Sequence, residues 1–357
     1  MASTALNTLI AQWDLDPMRQ SRGYDAAQKH KPLSFQSILE GMEYAEKQWL
    51  GTYLPTQSGP HPSEFFDRLL LWMKNAGLDD EDASVLFEFA SQLLFFSADD
   101  FQALYRNAYT GPITRWIASQ IAMRIDAPYW QEELVLQRDS RTWYCPVTDS
   151  MDIASFYHLN QLAGIPHRPG FRSLNRFHAD GKALTEYMTE SGLDRLVLLE
   201  DFVGTGSQTA GVVRWAVESL GKSVLFVPLI IAPDGLRRLK QLESALGSAK
   251  LQVSPIVELE PSDFISPATD EAAPLFSAIR ALADRLHSSV RGTTPDDLKK
   301  SPHSSLGFKR PGDSYVGATL VMHSNCPNNT IPLVHHHGPA TQWRPLFPRV
   351  EREPSSP

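Results

Sequence analysis

Cysteine is scarce: Cys145 and Cys326 are the only two in 357 residues. With no cluster around either, a disulfide framework and a cysteine zinc site are both excluded, and a reducing compartment is expected. Excess positive charge is also missing. Lys and Arg total 33 against 41 Asp and Glu, giving a formal net charge of -8 and a pI of about 5.8. That balance excludes a protein that wraps nucleic acid in a broad basic surface, although a local basic patch stays open. Long apolar runs are lacking too. The longest, residues 224–232, contains Pro228 and is far too short to span a bilayer, and the N-terminus shows no charged-then-apolar signal pattern. A soluble, cytoplasmic protein is expected, with no membrane role.

What is present is 42% hydrophobic content, enough for a substantial core in two domains or one large elaborated one. Apolar residues recur at helical spacing over 35–50, 65–73, 85–96 and 101–109, with a Pro/Gly-rich break at 54–60, so the chain reads as helical to about residue 126. Ser63 and Asp99 or Asp100 are plausible N-caps. The aromatics here, among them Trp72, Phe87 and Tyr105, read as core. Leu93-Leu94-Phe95-Phe96, apolar on every side of a helix, could serve as a partner face.

Alternation of strand-like and helix-like segments begins near Trp130. Residues 141–147 read as a strand, Thr148-Asp149-Ser150 as its loop and 153–162 as a helix; Asp149, Ser150 or Asp152 could equally be a simple helix cap. Arg168, Arg172 and Arg176 follow in a turn-rich stretch that suits either an anion or plain solvent. Residues 223–231 and 251–259 read as parallel strands, and Pro233-Asp234-Gly235 as a turn before a helix over 236–246. The polar stretch 288–303 predicts a mobile loop, 306–323 two short β segments, and 324–334 an Asn-rich turn and an extended end. His335-His336-His337 invites a metal reading, but consecutive residues rarely aim three ligands at one ion.

The stretch that organises the rest is 196–209. Leu196-Val197-Leu198-Leu199 make a buried strand, Glu200 and Asp201 follow, and Gly204-Thr205-Gly206-Ser207-Gln208-Thr209 lead into a helix over 210–220. In an open parallel sheet, ligands bind beyond the carboxyl ends of the strands. Loop glycines let backbone N–H groups approach an anion, and the helix N-terminus adds its positive dipole end. Two acids beside that nest suit ribose hydroxyls, directly or through magnesium. An ordinary strand-to-helix turn with two solvated acids is the plainer alternative.

This stretch resembles the ribose-phosphate-binding signature of the type I phosphoribosyltransferases: strand, acidic pair, two apolar residues, then a Thr/Gly-rich loop. Gly204 stands where a hydroxyl residue is usual and Gln208 where the closing Thr is usual, with Thr209 one place later. Together with Asn325-Cys326-Pro327-Asn328-Asn329-Thr330-Ile331-Pro332 and Trp343-Arg344-Pro345-Leu346-Phe347-Pro348-Arg349, it is similar to the phosphoribosyltransferase-like effector family of prokaryotic conflict systems, members of which occur beside retron reverse transcriptases. The resemblance, running roughly from residue 130 to 349, implies an α/β fold with a type I phosphoribosyltransferase-like parallel sheet and a C-terminal hood, preceded by an all-helical N-terminal region. The implied division is 1–126, docking or regulatory; 127–350, the transferase-like domain, with its hood at 304–350; and 351–357, a disordered tail.

The implied function is an antiphage effector that binds PRPP or a nucleotide and is toxic when released from a complex, one partner being a retron reverse transcriptase with its RNA–DNA. Glu200 and Asp201 would be catalytic and hold Mg, 204–209 would anchor phosphate, and Thr148, Asp149 and Ser150 would face pyrophosphate. Phe308, Asn325, Asn328 and Asn329 would form the hood that meets the acceptor, although turn chemistry explains the asparagines equally well. A non-catalytic nucleotide sensor or structural subunit is the alternative, and a nucleotide-salvage transferase a third reading.

Overall fold

The computed structural model describes residues 3–16, 19, 33–57, 61–121, 126, 128–162, 173–174, 181–267, 273–298, 303–309, 311–337 and 342–350. Arg168, Arg172, Arg176, residues 299–302 and the tail at 351–357 lie outside that set. Compactness divides the chain into a first unit, residues 1–98 with 261–355, and a second, residues 99–260. No helix among the described residues is long and apolar enough to cross a membrane.

The first unit begins with α1 (Thr4–Leu15), α2 (Phe35–Gln48), α3 (Phe65–Met73) and α4 (Asp80–Ala90). Ser34 caps α2 by accepting from Ser37 N–H, and Asp79 with Asp82 closes a reciprocal capping box on α4. Ser63 does not cap α3, whose N-cap is Glu64; the Ser63 carbonyl instead accepts from Arg68. The helical periodicity over 85–96 also breaks early, because Leu94–Phe96 form a strand, β1. A short apolar run fits strand or helix alike, and here a distant parallel partner decides it.

The second unit opens with α5 (Ala98–Ala108), α6 (Thr114–Gln120) and α7 (Trp130–Asp139). Its sheet follows the order β2 (Thr142–Pro146), β3 (Arg195–Val203), β4 (Val224–Ile231), β5 (Leu251–Val253), all parallel, with β6 (Val257–Glu258) also on β4. Helices α8 (Ile153–Leu159), α9 (Gly181–Glu190), α10 (Ser207–Leu220) and α11 (Pro233–Leu246) intervene. β2 and β4 are buried at every residue, as a parallel sheet covered on both faces requires. The single strand expected over 251–259 is split. Ser254 and Ile256 donate to Phe226 and Pro228 carbonyls, and between them Pro255 lies opposite Pro228, so two residues without N–H meet where the ladder lapses.

Pro233 starts α11 at its first turn, where a missing N–H costs nothing, so Pro233-Asp234-Gly235 is helix rather than turn. The chain then returns to the first unit with β7 (Phe264–Ser266), α12 (Pro274–Arg291), α13 (Pro295–Leu298), β8 (His303–Ser304), β9 (Gly307–Phe308), β10 (Val316–Ala318), β11 (Leu320–Met322) and α14 (Pro332–His335). α12 carries its apolar stripe through Val290, so residues 288–291 are helix and not loop. α14 likewise replaces the extended end expected at 331–334, with Pro332 at its first position.

β10 pairs antiparallel with β7, and β11 pairs parallel with β1 in the register Leu94 with Leu320. One apolar core joins Trp13, Phe35, Phe65, Trp72 and Phe87 to Leu286, Val321, Leu333 and Phe347. The second unit has its own core, built on Trp143, Leu198, Val213, Phe226 and Leu239.

Candidate functional site

β3 is longer than its apolar run suggests. It continues through the acidic pair to Val203, so Glu200 and Asp201 lie within its last turns of pleat and are both buried. Their partners come from the loop after the neighbouring strand β2. Thr148 N–H donates to Glu200 Oε2 at 3.0 Å and Thr148 Oγ1 lies 2.5 Å from Glu200 Oε1. Ser150 Oγ lies 2.7 Å from Asp201 Oδ1 and 2.7 Å from Thr148 Oγ1. Asp149, between them, is exposed, and the helix cap is Asp152, which accepts from Ser155 N–H. Of the open readings for this loop, two hydroxyls therefore belong with the acidic pair and capping belongs to Asp152.

The proton count along this row is informative. Glu200, Thr148, Ser150 and Asp201 make three short oxygen–oxygen contacts, but the two hydroxyls supply only two hydrogens. A third proton is needed, or two lone pairs face each other at 2.7 Å. Burial and the neighbouring Asp201 charge push the Glu200 carboxyl up to about 8, against the lowering effect of the Thr148 N–H bond. Protonated Glu200 then donates to Thr148, Thr148 to Ser150 and Ser150 to Asp201, and every hydrogen is used once.

This arrangement has a pH consequence. Glu200 keeps its proton in the folded chain up to about 8 but loses it in the unfolded chain near its ordinary value of 4.5. The stabilising proton is fully present below the lower value and is lost as pH rises to the upper one. The neutral isostere Glu200→Gln is expected to flatten that slope, becoming more stable than the parent by on the order of 2 kcal/mol at pH 9 and less so at pH 5. Urea midpoints at both pH values test it; parallel pH profiles would rule out the shared proton.

The phosphate-loop candidates sit directly beyond. Gly206 adopts φ 69° and leaves α10 without a side-chain cap. The first helical bond is from Ala210 N–H to the Gly206 carbonyl, so the amides of Ser207, Gln208 and Thr209 precede the ladder. Thr205 Oγ1 donates to Ser207 Oγ at 3.1 Å. The loop rests on the first turn of α11: a Cβ at Gly235 would fall 2.4 Å from the Gly204 carbonyl oxygen, and Arg238 donates to the Thr205 carbonyl at 2.7 Å. Neither Gly235 nor Arg238 stands out in the sequence, since only the fold brings α11 under the loop. Tyr105, read as core packing, is close enough to Asp201 that the carboxylate joins burial in raising its hydroxyl.

The hood candidates belong to the first unit. Phe308 packs edge-on against His303 with ring centres 5.4 Å apart. Asn325 donates to the Val350 carbonyl at 2.8 Å and accepts from Cys326 N–H at 3.0 Å, the local backbone role that asparagine chemistry allows. The Asn329 carbonyl accepts from Ala318 N–H, and Asn328 lines a cavity with His303 and His335.

A family model described as PRTase-CE matches residues 70–349 of the chain. No curated protein and no solved structure matches.

Proposed function

The chain belongs to the PRTase-CE family of phosphoribosyltransferase-like effectors, and from that premise we propose that it is an antiphage effector acting on a ribose-phosphate ligand. The observation that carries the reading is the joining of Thr148 and Ser150 to Glu200 and Asp201, beside the uncapped start of α10. A ribose phosphate such as PRPP or a nucleotide meets that surface in parts: its phosphate takes the amides of Gln208 and Thr209, joined by that of Ser207 once it leaves Thr205 Oγ1, and its hydroxyls meet the acidic row. The reaction would be transfer at the anomeric carbon, where positive charge develops near Asp201.

The donor set also suits magnesium, because Asp201 offers a hard carboxylate oxygen and Glu200 would offer a second on giving up its proton to the ion. Among the described residues no group of three or more His, Cys, Asp or Glu gathers to hold a metal, so the ion would complete its shell with ligand oxygens and water. When bound, it would neutralise phosphate charge. In this reading residues 1–126 serve as the docking or regulatory element, and a complex with a retron reverse transcriptase and its RNA–DNA holds the toxin silent.

A second reading, a nucleotide sensor without turnover, is favoured by Gly204 and Gln208 and by the enclosure of Glu200 among Thr148 and Ser150. Replacing Glu200 and Asp201 together by alanine separates the two. Transfer is expected to fall about a hundredfold or more, with growth arrest lost in parallel. Undiminished growth arrest, with no ligand consumed by the parent protein, would sink the transferase reading.

A further inference from the structure

The first unit contains a cavity of about 180 Å³ lined by Arg291, His303, Asn328, His335, His336, His337 and Arg349. None of its lining residues among the described ones is acidic. Arg291 ends α12, with Nη1 3.5 Å from His336 Nδ1, and Arg349 is anchored by donating to the Cys326 carbonyl. Two guanidiniums and several imidazoles are thus gathered with no carboxylate among the described lining residues, an arrangement that disfavours cations and suits an anion.

His335 makes the same case by geometry. It is buried, its Nε2 faces the Thr330 carbonyl at 3.0 Å, and its Nδ1 has no hydrogen-bond partner among the described residues. The neutral ring donates from Nε2, so Nδ1 presents a lone pair. It can accept from the hydroxyl of a hydrogen phosphate or, once protonated, donate to a phosphate oxygen. Burial, with Arg349 beside His335 and Arg291 beside His336, pulls the two rings down to about 3 and 4, and an anion would reverse the charge part of that effect.

We propose that this cavity is a binding site for a phosphoryl anion, held between Arg291 and Arg349 with Asn328 and the His335–His336 pair as hydrogen-bonding partners. Its volume decides the size of the occupant. Cavities for drug-sized ligands run to about 300–1,000 Å³, so this one admits a phosphate or pyrophosphate, or the phosphate end of a nucleotide whose remainder stays outside. The site shares no residue with the acidic row and stands whether or not that row catalyses transfer.

Calorimetric titration of the full chain with inorganic phosphate, pyrophosphate and a nucleoside monophosphate at fixed ionic strength tests it. Ser207→Asp, which sets a carboxylate in the α10 amide nest at a position that favours acids, serves as the background so that binding there does not interfere. Pyrophosphate is expected to bind in that background, and Arg291→Gln to weaken it by about tenfold to a hundredfold. Asn328→Asp, which changes shape least, should do the same if the Arg291 variant folds poorly. Free anion binding as tightly as the nucleotide identifies the anion itself as occupant; tighter nucleotide binding, lost in Asn328→Asp, identifies the nucleotide's phosphate. Retained affinity in a folded Arg291→Gln or Asn328→Asp protein, or no binding of any of the three probes at millimolar concentration, overturns the proposal.

Discussion

Arg68→Met is expected to destabilise the chain by about 3 kcal/mol, although it removes a charge that is costly to bury. The side chain is 1% exposed, and burial lowers its guanidinium to about 10. Relief of that cost favours methionine. Against it stand three carbonyls: Nε donates to Leu346 O at 3.0 Å, and Nη1 to Pro62 O at 3.0 Å and to Ser63 O. Each acceptor left dry costs about 1–3 kcal/mol, and the Phe347 ring, 5.9 Å from the guanidinium, loses a cation–π partner as well. The carbonyls outweigh the charge. Lysine, with the charge but no fork, is expected to recover only part of the loss. Urea midpoints with an unchanged m-value are the measurement, and a methionine variant as stable as the parent would show that the burial cost dominates.

Gly235→Ala is expected to be nearly as damaging for a different reason. The added Cβ would meet the Gly204 carbonyl oxygen at 2.4 Å and the Val203 carbonyl oxygen at 3.1 Å, both backbone atoms that cannot rotate away. Either α11 retreats from β3 or the Gly204 loop lifts, at about 1–3 kcal/mol. Phosphate-ligand affinity is expected to fall with it, because the moved loop carries the Ser207 to Thr209 amides. Gly211→Ala is the control: nothing lies within 4 Å of its added Cβ in mid-helix, so a gain of up to about 1 kcal/mol is expected. Equal stability of the two variants would contradict the close approach.

Much of this fold is legible because it follows from local pattern. The apolar runs of β2, β3 and β4, the acidic pair and the loop entering α10 are contiguous, and each follows a rule that needs no distant partner. What the pattern hides lies in pairs far apart in the chain. Thr148 and Ser150 meet Glu200 and Asp201 only because β2 and β3 are neighbours. Gly235 looks like a turn residue until the Gly204 carbonyl sits over it. Leu94–Phe96 is a strand only because Leu320–Met322 lies alongside, and Arg68 is a surface-type residue until the Leu346 carbonyl covers it. The asparagine at 325, equally suited to a ligand or a turn, is used to tie down Val350.

The division of the first unit between residues 1–98 and 261–355 also bears on how the chain is made. During synthesis β1 leaves the ribosome long before β11, so its edge and the Trp72 indole, whose partner is the Leu333 carbonyl, wait for the end of translation. The second unit needs nothing later than Glu258 to complete its sheet. A chain terminated after residue 260 would therefore keep the acidic row and its hydroxyls while losing most of what closes the first unit. Premature stops between the units would yield a protein different in kind from any point variant: a finished sheet attached to helices that keep Trp13, Phe35 and Phe87 together but lack the Leu286, Val321, Leu333 and Phe347 side of their core.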